Sequence, residues 1–149
     1  MTQASQIWDK ALQKGGLWVK ELADELSWAD VSHALHALRS VLHALRDRLP
    51  VNEAAQLAAQ LPLLIKGVYY DGWNPSGTPV KARTKEEFLA LVKQPLERRI
   101  PGADAERVTR AVFRLLASHV SEGEILDVRG ILPQELLELW PEKAAATRG

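Results

Sequence analysis

Leu42–Trp73, LHALRDRLPVNEAAQLAAQLPLLIKGVYYDGW, has an echo further along the chain. A displacement of 71 residues (39 to 110) lays Arg39, Val41, Leu45, Glu53, Leu61 and Pro62 on Arg110, Val112, Leu116, Glu124, Leu132 and Pro133. Around them Leu42 meets Phe113, Leu49 meets Val120, Leu57 meets Val128, Ile65 meets Leu136 and Tyr69 meets Trp140. The apolar positions and the Leu-Pro step keep their order without a gap, and each copy of such a repeat tends to be one supersecondary unit. The sequence therefore predicts a single helical domain over 1–149, made of two halves of about 1–70 and 84–140 joined by a loop at 71–83.

Capping and breaking signals give the local plan. Gly15-Gly16 is expected to end a short helix containing Trp8 and Leu12, and a second helix should run from about Leu17 to Leu26. Ser27 with Asp30 has the form of a capping box opening a long helix from Trp28 to about Leu49. Along it Val31, Leu35, Leu38, Leu42, Leu45 and Leu49 recur at steps of four and three and form one apolar stripe. Pro50 closes it, Asn52 is expected to cap a short helix through Leu61, and Pro62 starts another that ends near Tyr70.

In the second copy Thr84 with Glu87 makes a capping box, and Pro95 should kink or stop the helix that follows. Pro101-Gly102 precedes a helix of about Ala103 to Val120, Ser121 with Glu124 makes a further capping box, and Pro133 opens a last helix to Trp140. Nowhere do β-branched residues alternate with polar ones as a strand requires. The expected fold is all-α: two tandem pseudo-symmetric helical repeats packed as one helical bundle, since neither half is long enough to bury its own stripe.

The bulk properties exclude several classes of function. Nineteen basic and nineteen acidic residues cancel, so no global field draws in nucleic acid or an anionic membrane. The lack of cysteine rules out disulfides, thiolate catalysis and Cys-based metal sites. No apolar run approaches the length of a membrane span, and the opening MTQASQIWDKALQKGG lacks the basic-then-apolar form of a signal peptide. A bacterial-type cytoplasmic protein is the expectation.

The segment ALRDRLPVNEAAQLAAQLPLLIKGVYYDGWNPSGTP, then EEFLALV and EGEILDVRGILPQELLELWP, resembles the bacterial family called domain of unknown function 2267. The resemblance extends from Trp8 through Pro141, and its most specific pieces are LRDRLP, the QLP step, YYDGW and the terminal LPxELxxLW. It implies a compact all-helical protein of related halves and carries no activity with it. Two departures are Lys66-Gly67, where arginine would be expected before the glycine, and Asp71, where glutamate is common.

Few residues have the pattern that chemistry needs. On a helix at 100° per residue, His36, Ser40, His43 and Asp47 form one stripe with His33 beside it, opposite the apolar face. His36 and His43 are weak metal candidates, because ligands on one helix usually stand three or four residues apart. A polar or partner-facing stripe is the simpler reading, and the second copy agrees by placing Arg107 and Arg114 at those positions. No serine lies in a GxSxG or Ser-x-x-Lys setting, and Ser27 and Ser121 read as caps. Glu122 and Glu124 beside His119 could form an acid/base cluster, but Glu124 reads more simply as the reciprocal member of its capping box. Neither GxxxxGK nor GxGxxG occurs, and no cofactor is expected.

Basic residues gather at Lys81, Arg83 and Lys85 and again at Arg98, Arg99, Arg107, Arg110 and Arg114. The 107–114 run would make a positive ridge, which reads as a solvated face paired with acids such as Asp104 and Glu106. Tyr69, Tyr70 and Trp73 crowd one helix end, where they either anchor a partner or staple the halves together. The leading expectation is a non-catalytic protein-interaction module, homo-oligomer or adaptor, acting through Tyr69, Tyr70 and Trp73 or through the His36–Asp47 stripe. The alternative is a small-ligand or metal-binding protein with its site between the halves. An enzyme would need a catalytic cluster that the sequence does not display; a membrane is not an expected partner, nor is nucleic acid.

Overall fold

The computed structural model describes residues 2–142 and contains no strand among them. Seven α-helices follow in order: α1 (Gln3–Leu26), α2 (Val31–Arg48), α3 (Val51–Ala58), α4 (Leu63–Tyr70), α5 (Lys85–Arg99), α6 (Ala105–His119) and α7 (Glu122–Ile131). Two 3₁₀ segments, Pro75–Gly77 and Gln134–Leu139, complete the elements of the described residues. α1 packs on α2 and α6, and α5 packs on the same two helices from elsewhere in the bundle. The fold is an all-α bundle with α2 near its centre.

α1 corrects the first expectation, since Gly15-Gly16 does not end a helix. The chain stays helical from Gln3 to Leu26, with the Thr2 hydroxyl accepting the Ser5 N–H at 3.1 Å. Packing explains the glycine at position 15. A Cβ there would lie 3.3 Å from the Leu64 Cβ, so glycine lets α4 approach closely, whereas Gly16 faces open space.

The next boundary also differs from expectation. Ser27 ends α1 in the left-handed conformation (φ 59°, ψ 39°) instead of opening the following helix. The Ser27 and Trp28 amides reach back to the Asp24 and Ala23 carbonyls, which satisfies the last turn of α1. Asp30 then caps α2, its carboxylate accepting the Ser32 N–H at 2.9 Å. Leu38, Leu42, Leu45 and Leu49 are buried as the stripe requires. Val31 and Leu35 are not: they remain 44% and 37% exposed, Val31 at the helix end and Leu35 at the edge nearest the histidines. α2 is also covered on its far side, where Ser40 is buried, because α4 and α5 pack there.

Pro50 and Pro62 stand at the N-caps of α3 and α4, so α3 begins at Val51 and Asn52 is not its cap. Thr84 and Glu87 form the expected capping box. Pro95, expected to kink or stop the helix, does not stop it and is carried inside α5. Phe88, Val92 and Leu96, buried at four-residue spacing, seat the helix on the bundle to either side of the proline. Asp104 caps α6 through the Glu106 and Arg107 amides. The last segment, expected as an α-helix, is 3₁₀, and it ends with Trp140 stacked on Phe113 (ring centroids 4.0 Å apart).

The LRDRLP turn works as a clasp. Arg46, 4% exposed, donates to the Tyr69 carbonyl at 2.7 Å and the Asp71 carbonyl at 3.0 Å, and pairs with Asp47 at 2.8 Å. Arg48 donates to the Ala82 carbonyl, and the Val80 amide donates to the Asp47 carbonyl. Both arginines thus satisfy backbone oxygens that would otherwise lack donors at the end of α4 and in the loop beyond it.

Candidate functional site

The histidine stripe of α2 lines a groove between α2 and α5. α2 contributes Leu35, His36, Arg39, Ser40 and His43, α4 contributes Val68, and α5 contributes Pro95, Arg98 and Arg99. The groove has a volume of about 550 Å³, within the range of small-molecule sites. Pro95, Arg98 and Arg99 stand at i, i+3 and i+4 and so share one face of α5. That spacing is visible in the sequence, but only tertiary packing turns Arg98 and Arg99 away from the α6 arginines and towards His36.

No carboxylate lines the groove, and Arg98 and Arg99 take part in no ion pair among the described residues. Arg39 is held by Asp71 at 2.6 Å. Desolvation lowers the pKa of His36, and the Arg99 and Arg39 charges lower it further. His43 is also lowered, mainly by burial, against the opposing effect of its contact with the Val68 carbonyl at 2.7 Å. A carbonyl only accepts, so His43 carries its proton on Nε2, and that nitrogen is not free to bind a metal. His36 and His43 therefore do not come together as a ligand set, and their surroundings are cationic. Ser40 is no nucleophile poised on a base, for its hydroxyl donates to the His36 carbonyl at 3.0 Å.

The other expected residues lie elsewhere. Asp47 pairs with Arg46 and belongs to the clasp. His33 sits by Asp30 at the start of α2. Tyr69 is fully buried with its hydroxyl donating to the Ala54 carbonyl, so it is a core residue and not an exposed anchor. Burial drives its pKa far above the ordinary tyrosine range. Tyr70 and Trp73 are half-buried against the core, with ring centroids 5.3 Å apart. The basic ridge of α6 is engaged: Arg107 donates to the Leu26 carbonyl, Arg110 pairs with Glu106 and Glu138, and Arg114 pairs with Glu25. Asp104, expected among the paired acids, caps the helix instead.

Sequence reasoning missed one constellation. Glu124 makes no reciprocal capping bond and turns inward, where it faces Glu53. Both residues are buried, and oxygens of Glu53, Glu124 and the exposed Asp127 all lie within 4.8 Å of one another. Glu53 Oε2 and Glu124 Oε2 have no hydrogen-bond partner. Burial and the adjacent Glu53 push the Glu124 carboxyl up to about 8, so Glu124 keeps its proton at neutral pH. The signal was present, because Glu53 and Glu124 are aligned by the 71-residue displacement, but that alignment gave no sign that the two residues would lie together.

The family described as "Uncharacterized conserved protein (DUF2267)" matches residues 17–139. The chain belongs to this family. No curated protein matches it. The DUF2267 match takes in the groove, the clasp and the Glu53–Glu124 pair, and it leaves out the first fourteen residues of α1 (3–16). Of the pieces that carry the sequence resemblance, LRDRLP and YYDGW are joined by the Arg46 contacts with the Tyr69 and Asp71 carbonyls, and Arg48 extends the first to Ala82.

Proposed function

We propose that this DUF2267 protein is a non-catalytic binding protein whose small-molecule ligand occupies the groove between α2 and α5. The observation that carries the reading is the groove itself: about 550 Å³ of space between α2 and α5, which lie on either side of the 71–83 connection. Its lining combines apolar Leu35, Val68 and Pro95 with convergent polar groups, which is the usual composition of such a site. The engagement of Ser40 with a backbone carbonyl supports a role in binding rather than catalysis. A thermal-shift screen of small molecules tests it. Ligands that raise the unfolding midpoint should lose their effect in Leu35→Trp, which fills the mouth of the groove from a partly exposed position. Hits that act equally on wild type and Leu35→Trp would refute the reading.

A second reading, self-association, is favoured by one observation. Ile7, Trp8 and Leu12 on the first turns of α1 are each about 60% exposed, beyond the part of α1 that is buried in the bundle. Sedimentation of wild type against Trp8→Glu decides it. A concentration-dependent dimer that the substitution dissolves would support the reading, and a monomer at every concentration would remove it.

A further inference from the structure

We infer that the ligand of the α2–α5 groove is a small organic anion, its phosphate or carboxylate head seated among Arg98, Arg99 and His36 and its apolar body against Leu35, Val68 and Pro95. The inference rests on the reading of the groove as a ligand site and adds the chemistry of the occupant.

Three observations support it. First, the charged side chains that converge on this space are cationic: Arg39 from α2, and Arg98 and Arg99 from α5. The acids nearby in sequence are already engaged. Asp71 holds Arg39, Asp47 holds Arg46, and Glu97 accepts the Gly102 N–H at 3.1 Å. Folding thus gathers like charges at one place and leaves Arg98 and Arg99 without a counter-charge from the described residues. A bound oxyanion supplies that charge, and the planar guanidinium group suits both oxygens of a phosphate or carboxylate.

Second, the same protein shows how this kind of interface looks when the counter-charge is built in. Where α1 meets α6, Arg114 pairs with Glu25 at 2.7 Å and His119 contacts Glu21 at 2.9 Å. Arg107 and Arg114, aligned with His36 and His43, both find acceptors on α1: the Leu26 carbonyl and the Glu25 carboxylate. Across the α2–α5 groove His36 finds Arg99 instead, while His43 is held by the Val68 carbonyl of α4.

Third, the dimensions fit a small molecule and not a polymer. The basic ridge of α6 is spent on internal partners, so among the described residues it offers no track of free cations leading away from the groove. The apolar residues beside Arg98 and Arg99 favour a ligand with a hydrocarbon portion over a bare ion.

The test is an NMR titration of the ¹⁵N-labelled full chain with four probes: phenyl phosphate, phenylacetate, benzyl alcohol and inorganic phosphate. The expected result is saturable shifts at His36, Ser40 and Arg99 with phenyl phosphate or phenylacetate, the tighter of the two naming the head group. Benzyl alcohol and inorganic phosphate should each bind at least tenfold more weakly. The double variant Arg98→Gln/Arg99→Gln should lose at least tenfold in affinity for the anionic probe, and its spectrum serves as the check that the fold survives at two exposed positions. Equal binding of benzyl alcohol at the same residues would overturn the anion assignment while leaving the groove as a ligand site. Equal binding of inorganic phosphate would overturn the organic body, and anion affinity unchanged in the double variant would overturn the head-group site. No shift with any probe would overturn the inference, and the Leu35→Trp screen would then judge the groove on its own.

Discussion

The α1–α6 and α2–α5 contacts join helices of similar kind and resolve their charges in opposite ways. α1 presents Glu21 and Glu25 to His119 and Arg114, and the paired side chains bridge the two helices. Trp18 stacks on the His119 ring there at 4.7 Å. α5 presents Arg98 and Arg99 to His36 and Arg39, and the surface between them is open. Complementary charge lets side chains close over one another, whereas like charge at short range favours separation and solvent. The difference shows where a bundle of this kind keeps room for something else.

A third junction meets the same problem in another way. Where α3 meets α7, Glu53 and Glu124 bring two carboxyl groups together in a buried place, and a proton kept on Glu124 relieves the repulsion. One bundle therefore uses an internal counter-charge, a proton and an open groove for three similar encounters.

The comparison can be broken most severely by releasing α4, which contributes Val68 to the groove. Arg46→Ala removes the buried guanidinium from the Tyr69 and Asp71 carbonyls and should cost about 3 kcal/mol in denaturant unfolding. A loss no larger than that of an exposed arginine would mean that the clasp does not hold α4.

The proton at the α3–α7 junction sets a pH dependence of known sign. Glu124 titrates at about 8 in the folded protein against an ordinary value of 4.5, so the folded state retains a proton that the unfolded chain releases. This contribution is complete below about 4.5 and is lost as the pH rises towards about 8. Glu53→Gln replaces the repelling neighbour with one that can donate, and should flatten the fall in melting temperature over that window. An equally steep fall in the variant would show that Glu124 titrates independently of Glu53.

Smaller effects sharpen the picture at α1. Gly16→Ala, in a helix and facing open space, should stabilise by about 1 kcal/mol. Gly15→Ala should forfeit that gain, because the new Cβ meets Leu64 at 3.3 Å. Equal stabilisation by both would show that α4 yields readily.

The smallest effect concerns the two contacts directly. Glu25→Gln should cost about 0.5 kcal/mol by opening an exposed pair, while Arg99→Glu should gain about 0.5 kcal/mol by placing a negative charge opposite His36 and Arg39. Thermal unfolding at low salt measures both, and destabilisation by Arg99→Glu would argue against like-charge strain in the groove.

Much of the fold was legible because its signals are local. Thr84 with Glu87, Pro62 before α4 and the leucines of α2 act through neighbours three or four residues away. What misled was local chemistry overruled by packing. Gly15-Gly16 reads as a terminator until Leu64 needs the space, and Pro95 reads as a break until Phe88 and Leu96 hold both sides of it. The histidine stripe was legible from spacing alone, but its occupants across the groove were not. Nothing near His36 in sequence points to Arg99, 63 residues away (36 to 99), and only the crossing of α5 over α2 brings them together.

The clasp on α2 also bears on how far the protein depends on an unbroken chain. Arg46 holds the backbone at Tyr69 and Asp71, while Asp47 and Arg48 hold Val80 and Ala82, so both ends of the connecting loop are tied to three consecutive residues. The exposed turn between those ties, Pro75–Gly77, bears no comparable fastening to the bundle among the described residues. A protease nick there should leave two fragments that travel together through gel filtration and part only under denaturant, and new termini could be opened at the same place. The loop acts as a seam already sewn on both sides of the gap, not as the thread that keeps the pieces from drifting apart.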